Sequence, residues 1–334
     1  MKLVTYSNNG REQLAFYIDG QLFDTDKASH TLPRTLMEML NDWERLADIA
    51  RKAEDEIKNG KGIEASVSFD NATILAPLPK PVSCRDGYAF RQHVAAARRN
   101  RKVDMIAEFD QYPIFYFTNH LAVQGPGAIH CMPDHFNKLD FELEAAIVTC
   151  KKGRNIKAEH ADNYIAGYMI MNDMSARTLQ MEEMLLNLGP AKGKDFSTVI
   201  GPMLVTPDEL AAYKTPAKPN HTGNNFNLGM TCRVNGVEVS KGNMGDMDWT
   251  FAEILERCAY GVEVVPGEVI GSGTVGTGCF LELNGTGLLQ DANYQPQWLQ
   301  PGDVVEMEID GLGLLKNTIV AEDTDWSILA LKKK

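Results

Sequence analysis

The sequence has no CxxC pair, no phosphate loop of the GxxxxGK[ST] type, no internal repeat and no apolar run longer than Tyr164 to Met171. Each absence excludes a class. The scattered thiols at Cys84, Cys131, Cys150, Cys232, Cys258 and Cys279 read as reduced side chains and indicate neither a zinc ribbon nor a disulfide framework. Without a GxxxxGK[ST] loop, a nucleoside triphosphate is not an expected cofactor. The apolar run falls far short of the roughly 20 residues that a bilayer-spanning helix needs. MKLVTYSNNG lacks the charged start and apolar stretch of a secretory signal, so the expected compartment is the cytoplasm. Positive charge is scarce as well. Against 45 Asp+Glu stand 33 Lys+Arg, a net charge of −12 that repels phosphate backbones and anionic lipid surfaces. Neither nucleic acid nor membrane is an expected partner. The one basic run, Arg98, Arg99, Arg101 and Lys102, reads as a solvated helix end that can still hold one carboxylate.

What is present is a globular composition, 44% hydrophobic over 334 residues, enough for two domains or one large domain with an appendage. Residues 2–24 read as short strands broken by Asn8-Asn9-Gly10 and Asp19-Gly20, a small meander. Leu36, Leu40, Trp43, Leu46, Ala50, Ala53 and Ile57 recur at helical spacing until Asn59-Gly60 ends the run. Three prolines in Pro77-Leu78-Pro79-Lys80-Pro81 fix an extended backbone. There the sequence divides into a small β-rich unit, residues 1–80, and a larger one, residues 81–334. Beyond the boundary the pattern predicts strands at 141–150, 163–172, 203–206, 229–240, 262–283 and 303–321, with helices near 89–101, 174–187 and 250–260. Asn235-Gly236 and Asp310-Gly311 predict antiparallel hairpins rather than a doubly wound sheet.

Chemistry concentrates in acidic residues. In Leu139-Asp140-Phe141-Glu142-Leu143-Glu144, two glutamates two positions apart at a strand start point to one face. If that face is solvated, the pair carries nothing. If it turns inward, two like charges meet without water, which is costly unless a cation lies between them. Asp173 closes an apolar strand just before MSARTLQMEEML, placed either as a helix cap or as a third oxygen ligand. All-carboxylate ligation suits Mg²⁺ or Ca²⁺. Arg177 and Gln180, three residues apart, share a helix face. The loop Gly189-Pro190-Ala191-Lys192-Gly193-Lys194 can return Lys194 to the same point. Upstream, Arg85 to His93 gathers an acid, a phenol and an imidazole. The stretch Gly271 to Gly278 is a loop where backbone can approach a ligand, and Glu282 follows on a predicted strand, Phe280 to Leu283, as a candidate partner for a buried histidine.

Taken in order, five segments resemble the fumarylacetoacetate hydrolase family and its fumarylacetoacetase branch. They are Asp86-x-Tyr88-x4-His93, Phe141-Glu142-Leu143-Glu144, Asn172-Asp173-x-Ser175-Ala176-Arg177-x2-Gln180, Gly189-Pro190-x2-Gly193-Lys194-x-Phe196 and Ser272-Gly273-Thr274. The resemblance runs from about Pro81 to the carboxyl end. It implies a mainly β fold with α, a mixed β-sandwich roll preceded by a small SH3-like domain, and a homodimer. It implies that Asp86, Glu142, Glu144 and Asp173 ligate Mg²⁺ or Ca²⁺, with a second Mg²⁺ near Asp173, Lys194 and Thr198. His93 would be the general base and Glu282 its orienting partner. Arg177, Gln180 and Lys194 would face the carbonyl under attack, with Tyr88, Tyr116 and Thr274 against substrate.

The implied reaction is metal-dependent hydrolysis of a carbon–carbon bond in a 1,3-diketo acid, fumarylacetoacetate giving fumarate and acetoacetate in aromatic amino acid catabolism. A chelating cation would polarise the carbonyls and hold the departing enolate, while the imidazole activates water. The alternatives are an acylpyruvate hydrolase or an oxaloacetate-type decarboxylase on the same fold, and a non-catalytic binder of small acids. Two departures bear on substrate rather than reaction type. Met184 stands where the family has a substrate-facing Tyr, and Lys102, beside Arg101, where it has an Arg.

Overall fold

The computed structural model describes residues 1–333. Its centre is an 11-stranded sheet. In chain order its strands are β1 (Lys2–Asn8), β2 (Arg11–Ile18), β3 (Gln21–Asp24), β4 (Val67–Ser68), β5 (Ser83–Gly87), β6 (Phe115–Thr118), β7 (Val123–Gln124), β8 (Leu143–Thr149), β9 (Ile165–Asp173), β10 (Thr198–Val205) and β11 (Glu268–Gly271). They are ordered β4-β3-β2-β1-β10-β9-β8-β11-β5-β6, with β7 parallel to β10. A five-stranded sheet holds Gly127–Cys131 and the two hairpins Gly229–Val234/Val237–Asn243 and Val304–Ile309/Gly313–Ala321. The Asn-Gly and Asp-Gly turns of the sequence close both hairpins, because each supplies residues that tolerate φ > 0.

β8 shows why the sheet is covered on both faces. Leu143, Ala145 and Ile147 enter one core with Met230, Met307 and Ile319 of the smaller sheet. Ala146 and Val148 enter the other, with Leu46 and Ala50 of helix α1 (Trp43–Lys58). A strand buried on both faces reads as a continuous apolar run, so Glu144 within it and Glu142 just before it stand out. They lie on the side shared with Ala146 and Val148.

The predicted amino-terminal meander forms as β1, β2 and β3. No SH3-like closure is seen, since β1 pairs with β10 and the strands extend the large sheet. The helix expected from Leu36 to Ile57 is two helices, Leu36–Asn41 and α1, meeting at Asp42, whose φ of −135° and ψ of 37° are not helical. The other predicted helices are present and shorter: α2 (Arg91–Asn100), α3 (Arg177–Met184) and α4 (Phe251–Ala259).

The strand predicted over 262–283 is a correction. It ends with β11, and Phe280–Gln290 is a helix, α5. Asn284, Gly285 and Gly287 lower its intrinsic helix propensity, and tertiary contacts supply what propensity lacks. The buried Asp140 carboxylate accepts from the Phe280 and Leu281 amides at 2.8 and 2.9 Å, capping the first turn. Gly285 lets α2 approach, since a Cβ there would lie 2.4 Å from Asn100 Nδ2. Asn100 in turn donates to the Glu282 carbonyl at 3.0 Å.

On β9, a Cβ at Gly167 would lie 2.5 Å from the Val205 carbonyl oxygen, next to a register shift between β9 and β10. Gly167→Ala is therefore expected to cost about 1–3 kcal/mol. Urea unfolding checks this as a lowered midpoint at unchanged slope.

Candidate functional site

Strand register assembles the acidic group at one end of the large sheet. Asp86 on β5 is level with Gly271 on β11 and with Tyr116 on β6. Gly271 is level with Ala146 of β8. Glu144 pairs with Met171 of β9, and Asp173, ending β9, pairs with Thr198 of β10. Residues 142–144 and 86, far apart in sequence, thus meet through neighbouring strands.

Asp86, Glu142, Glu144 and Asp173 are all buried, and one carboxylate oxygen from each lies within 4.8 Å of the others. Two cations answer this charge from the chain. Lys194 Nζ donates to Asp173 Oδ2 at 2.6 Å and to Glu142. Arg177 donates from Nη2 to Glu142 Oε1 at 2.8 Å and from Nε to Asp140 Oδ2 at 2.9 Å. Tyr116 donates to Asp173 Oδ2 at 2.5 Å, and the Gly273 amide to Asp86 Oδ1 at 3.0 Å. The Thr274 hydroxyl lies 3.4 Å from Glu144 Oε1.

The balance is uneven. Burial would raise the Glu142 carboxyl, but Lys194 and Arg177 pull it down to about 2. Asp86 is pushed up to about 7 by burial and then by the Asp173 charge. Glu144 is raised well above the usual carboxylate range by burial and the neighbouring Asp86. Asp173 is also raised, burial outweighing Lys194. The Lys194 ammonium is held protonated, because Asp173 and Glu142 overcome its desolvation.

Glu144 Oε2 and Asp173 Oδ1 are buried with no hydrogen-bond partner, as is Thr198 Oγ1. Orphaned carboxylate oxygens within an all-oxygen cluster are what a hard divalent cation satisfies. The residues therefore fit such an ion. The space beside them is kept by Gly271, where a Cβ would fall 2.4 Å from Asp86 Oδ1 and 3.0 Å from Glu144 Oε2. Lys194, being protonated, has no lone pair to offer a cation. It stands beside Asp173 and Thr198 as a counter-charge.

Lys194 reaches this point because its loop folds back on α3. Glu183 Oε2 accepts from the Ala191 and Gly193 amides at 2.9 and 3.2 Å. Only glycine fits at 193, where a Cβ would sit 2.6 Å from the Gln180 backbone. Gln180 Oε1 accepts from Arg177 Nη1 at 3.0 Å, so these two are coupled on one helix face.

Beside the acids lies a second pair. His93 on α2 and Glu282 on α5 are buried, with Nδ1 and Oε2 2.6 Å apart. Glu282 Oε1 accepts from the Thr277 amide at 3.0 Å. Tyr88 packs edge-on against His93, ring centroids 5.9 Å apart. Burial raises the Tyr88 phenol, and Arg101 is the first charge to oppose it. Of the basic run, then, Arg101 and Arg98 act on Tyr88, whereas Lys102 is exposed in the turn after α2.

Two residues of this region escaped the sequence reading. Asp140 joins α5, Arg177 and the Phe141 amide through one carboxylate. Its position two residues before Glu142, on the same alternation, was the available signal. Cys279 precedes α5, and its sulfur lies within 4.8 Å of ligand atoms of His93 and Glu142. Nothing in its sequence context marked it.

Residues 83–320 match the family model described as Fumarylacetoacetate (FAA) hydrolase C-terminal. The chain is 28% identical over 96% of its length, and 90% of the relative's, to "Oxaloacetate tautomerase fahd2, mitochondrial" of Xenopus laevis. To "Oxaloacetate tautomerase YisK" of Bacillus subtilis (strain 168) it is 27% identical, covering 96% of this chain and 100% of the relative. Among solved structures, maleylpyruvate hydrolase from Sphingobium sp. SYK-6 in complex with manganese (II) ion and pyruvate superposes with TM-score 0.67 at 17% identity, covering 97% of this chain and 100% of that one. The expected family stands. As to the branch, these two curated relatives carry the name of an oxaloacetate enzyme and not of a fumarylacetoacetase. The first of them is named mitochondrial, which does not favour the cytoplasmic expectation. No described helix is long and apolar enough to cross a membrane.

The pH dependence of the ion-free protein follows from Asp86. Its folded carboxyl, raised to about 7, holds a proton that the unfolded chain has already lost, so stability falls as pH rises from about 4 to about 7. Melting temperature in chelator is expected to drop across that window. Added Mg²⁺ should restore most at the upper end, and Asp86→Asn should make the profile shallower without abolishing it, because Glu144 and Asp173 are raised as well.

Proposed function

The chain belongs to the fumarylacetoacetate hydrolase family, and from that premise we propose that it moves a proton at the carbon beside a carbonyl in a 2-oxo dicarboxylic acid of the oxaloacetate class, interconverting its keto and enol forms. The observation that carries the reading is the buried His93–Glu282 pair set next to the carboxylate cluster. The names of the two curated relatives favour the substrate class.

In this proposal Asp86, Glu142, Glu144 and Asp173 hold one divalent cation, Mg²⁺, Ca²⁺ or Mn²⁺. When bound, it supplies Lewis-acid polarisation of the oxygens of a chelating 2-oxo acid. The chain's own groups do the rest. Glu282 accepts from Nδ1–H of His93, which fixes the tautomer and leaves the Nε2 lone pair as base. That nitrogen takes the proton from the carbon, the electron pair of the broken C–H bond forms the carbon–carbon double bond, and the carbonyl π pair moves to the oxygen, giving an enolate. Lys194, Arg177 and Gln180 present donors to the oxygen where charge grows, each such donor being worth about 3 kcal/mol in a preorganised site. Protonation of the oxygen gives the enol, and the reverse path gives the ketone. Tyr88, Tyr116, Thr274 and the basic residues Arg101 and Lys102 bound the substrate's remaining surface. The homodimer implied by the sequence resemblance belongs to the same proposal.

Hydrolysis of a 1,3-diketo acid, fumarylacetoacetate or an acylpyruvate, is the second reading. The same pair favours it, since a base that removes a carbon-bound proton can equally deprotonate a water aimed at the carbonyl.

Purified protein, with Mg²⁺ or Mn²⁺ and separately in chelator, is mixed with oxaloacetate while the ultraviolet absorbance of the enol is followed. Parallel assays follow fumarylacetoacetate and acylpyruvates. Cation-dependent acceleration of the oxaloacetate keto–enol change supports the proposal. Fast loss of diketone absorbance with no effect on oxaloacetate would replace it by the second reading. His93→Ala is expected to lower kcat about 10²–10⁴-fold with cation content unchanged. Glu142→Ala, Glu144→Ala and Asp173→Ala should each abolish turnover and weaken cation binding.

A further inference from the structure

Next to the all-oxygen cluster is a group of different chemical character. His93, Glu142 and Cys279 are buried and offer a nitrogen, an oxygen and a sulfur within 4.8 Å of one another. An imidazole, a carboxylate and a thiolate form a borderline-soft donor set, suited to Zn²⁺ and its congeners and poorly suited to Mg²⁺. A tetrahedral ion with bonds of about 2.0–2.3 Å needs these atoms to draw in by only about an ångström.

A second observation points the same way. Glu282 Oε2 lies 2.6 Å from His93 Nδ1, and the Thr277 amide holds the other Glu282 oxygen at 3.0 Å. A carboxylate that fixes one ring nitrogen and leaves the other as an aimed lone pair is the outer-sphere support that zinc-binding histidines use. The surroundings also accept positive charge. Asp140, Glu144, Asp86 and Asp173 lie in the same buried region, answered by Arg177 and Lys194.

We propose that His93 Nε2, Cys279 Sγ and the Glu142 carboxylate form a second metal site, selective for Zn²⁺-class cations, whose occupation shuts down the proton-transfer centre. On binding, the Cys279 S–H bond breaks, its proton passes to solvent and a metal–sulfur bond forms, with no change of oxidation state. The ion takes the lone pair of His93 and shares Glu142 with the hard-cation cluster. Binding stands on the donor set alone, whereas the loss of activity rests on His93 being the base.

The test uses the full chain saturated with Mg²⁺, with Co²⁺ as the spectroscopic probe. Wild type is expected to show a near-ultraviolet thiolate-to-cobalt band at one equivalent, which Zn²⁺ removes. Cys279→Ser and His93→Gln should lose the band. The other five cysteines join no candidate metal group among the described residues, so they give no band of their own. Glu282→Gln should weaken Co²⁺ binding about 10–100-fold. In the keto–enol assay, Zn²⁺ should inhibit wild type, and Cys279→Ala should need at least about tenfold more Zn²⁺ for the same loss, its circular dichroism confirming the fold. Absence of the band in wild type, or its persistence in Cys279→Ser, overturns the site. A band with unchanged turnover at saturating Zn²⁺ overturns the shutdown and counts against His93 as base, while the metal site stands.

Discussion

Everything at the functional end of this molecule depends on crowding four carboxylates into a space that the chain itself can only half neutralise. Lys194 and Arg177 settle Glu142 and one side of Asp173. Glu144 and Asp86 are left to share protons against burial and each other's charge. A fold tolerates such a cost only when its core is otherwise over-determined, and β8 and β9, apolar on both faces, provide that. The instability is local and directed, since its relief requires positive charge from outside.

The register of the sheet decides where this happens. The parallel pairing of β5 with β11, between antiparallel neighbours, brings Asp86 level with a glycine that leaves its carboxylate room. The amino-terminal strands add to the same sheet from the far side through β1 and β10. They buttress the strands that carry Asp173 and Thr198 without reaching the site.

Much of this was legible in the sequence where chemistry is carried by local pattern. Glu142 and Glu144 announce themselves as charges in an otherwise apolar strand, and the turn dipeptides placed every hairpin they marked. The short strands that carry Asp86 and Tyr116 are not legible, because five and four residues are too few to show a period. Nor was α5, whose glycines argue against a helix when read locally and become necessary once Asn100 and Tyr294 pack against them. Its start is dictated by Asp140, 140 positions away from the amide it caps. Glu282, which the residues alone mark as a candidate partner for a buried histidine and the family resemblance pairs with His93, meets that ring from a helix and not from the expected strand. Charge complementarity survives an error of secondary structure because it depends on where a side chain ends, not on how the backbone arrives.

The groups proposed to hold the cation and those proposed to move the proton ride on different parts of the architecture. Asp86, Glu144 and Asp173 are fixed by β-strand register, whereas His93 and Glu282 sit on α2 and α5, which contact each other through Asn100. A substitution in that helical contact can re-aim the imidazole by a fraction of an ångström while the oxygen cage keeps its shape. Under the proposed reaction, whether the lone pair meets a carbon-bound hydrogen or a water is then a matter of tilt, so that scaffold would be diverted between isomerising and cleaving chemistries through residues that touch neither ion nor substrate.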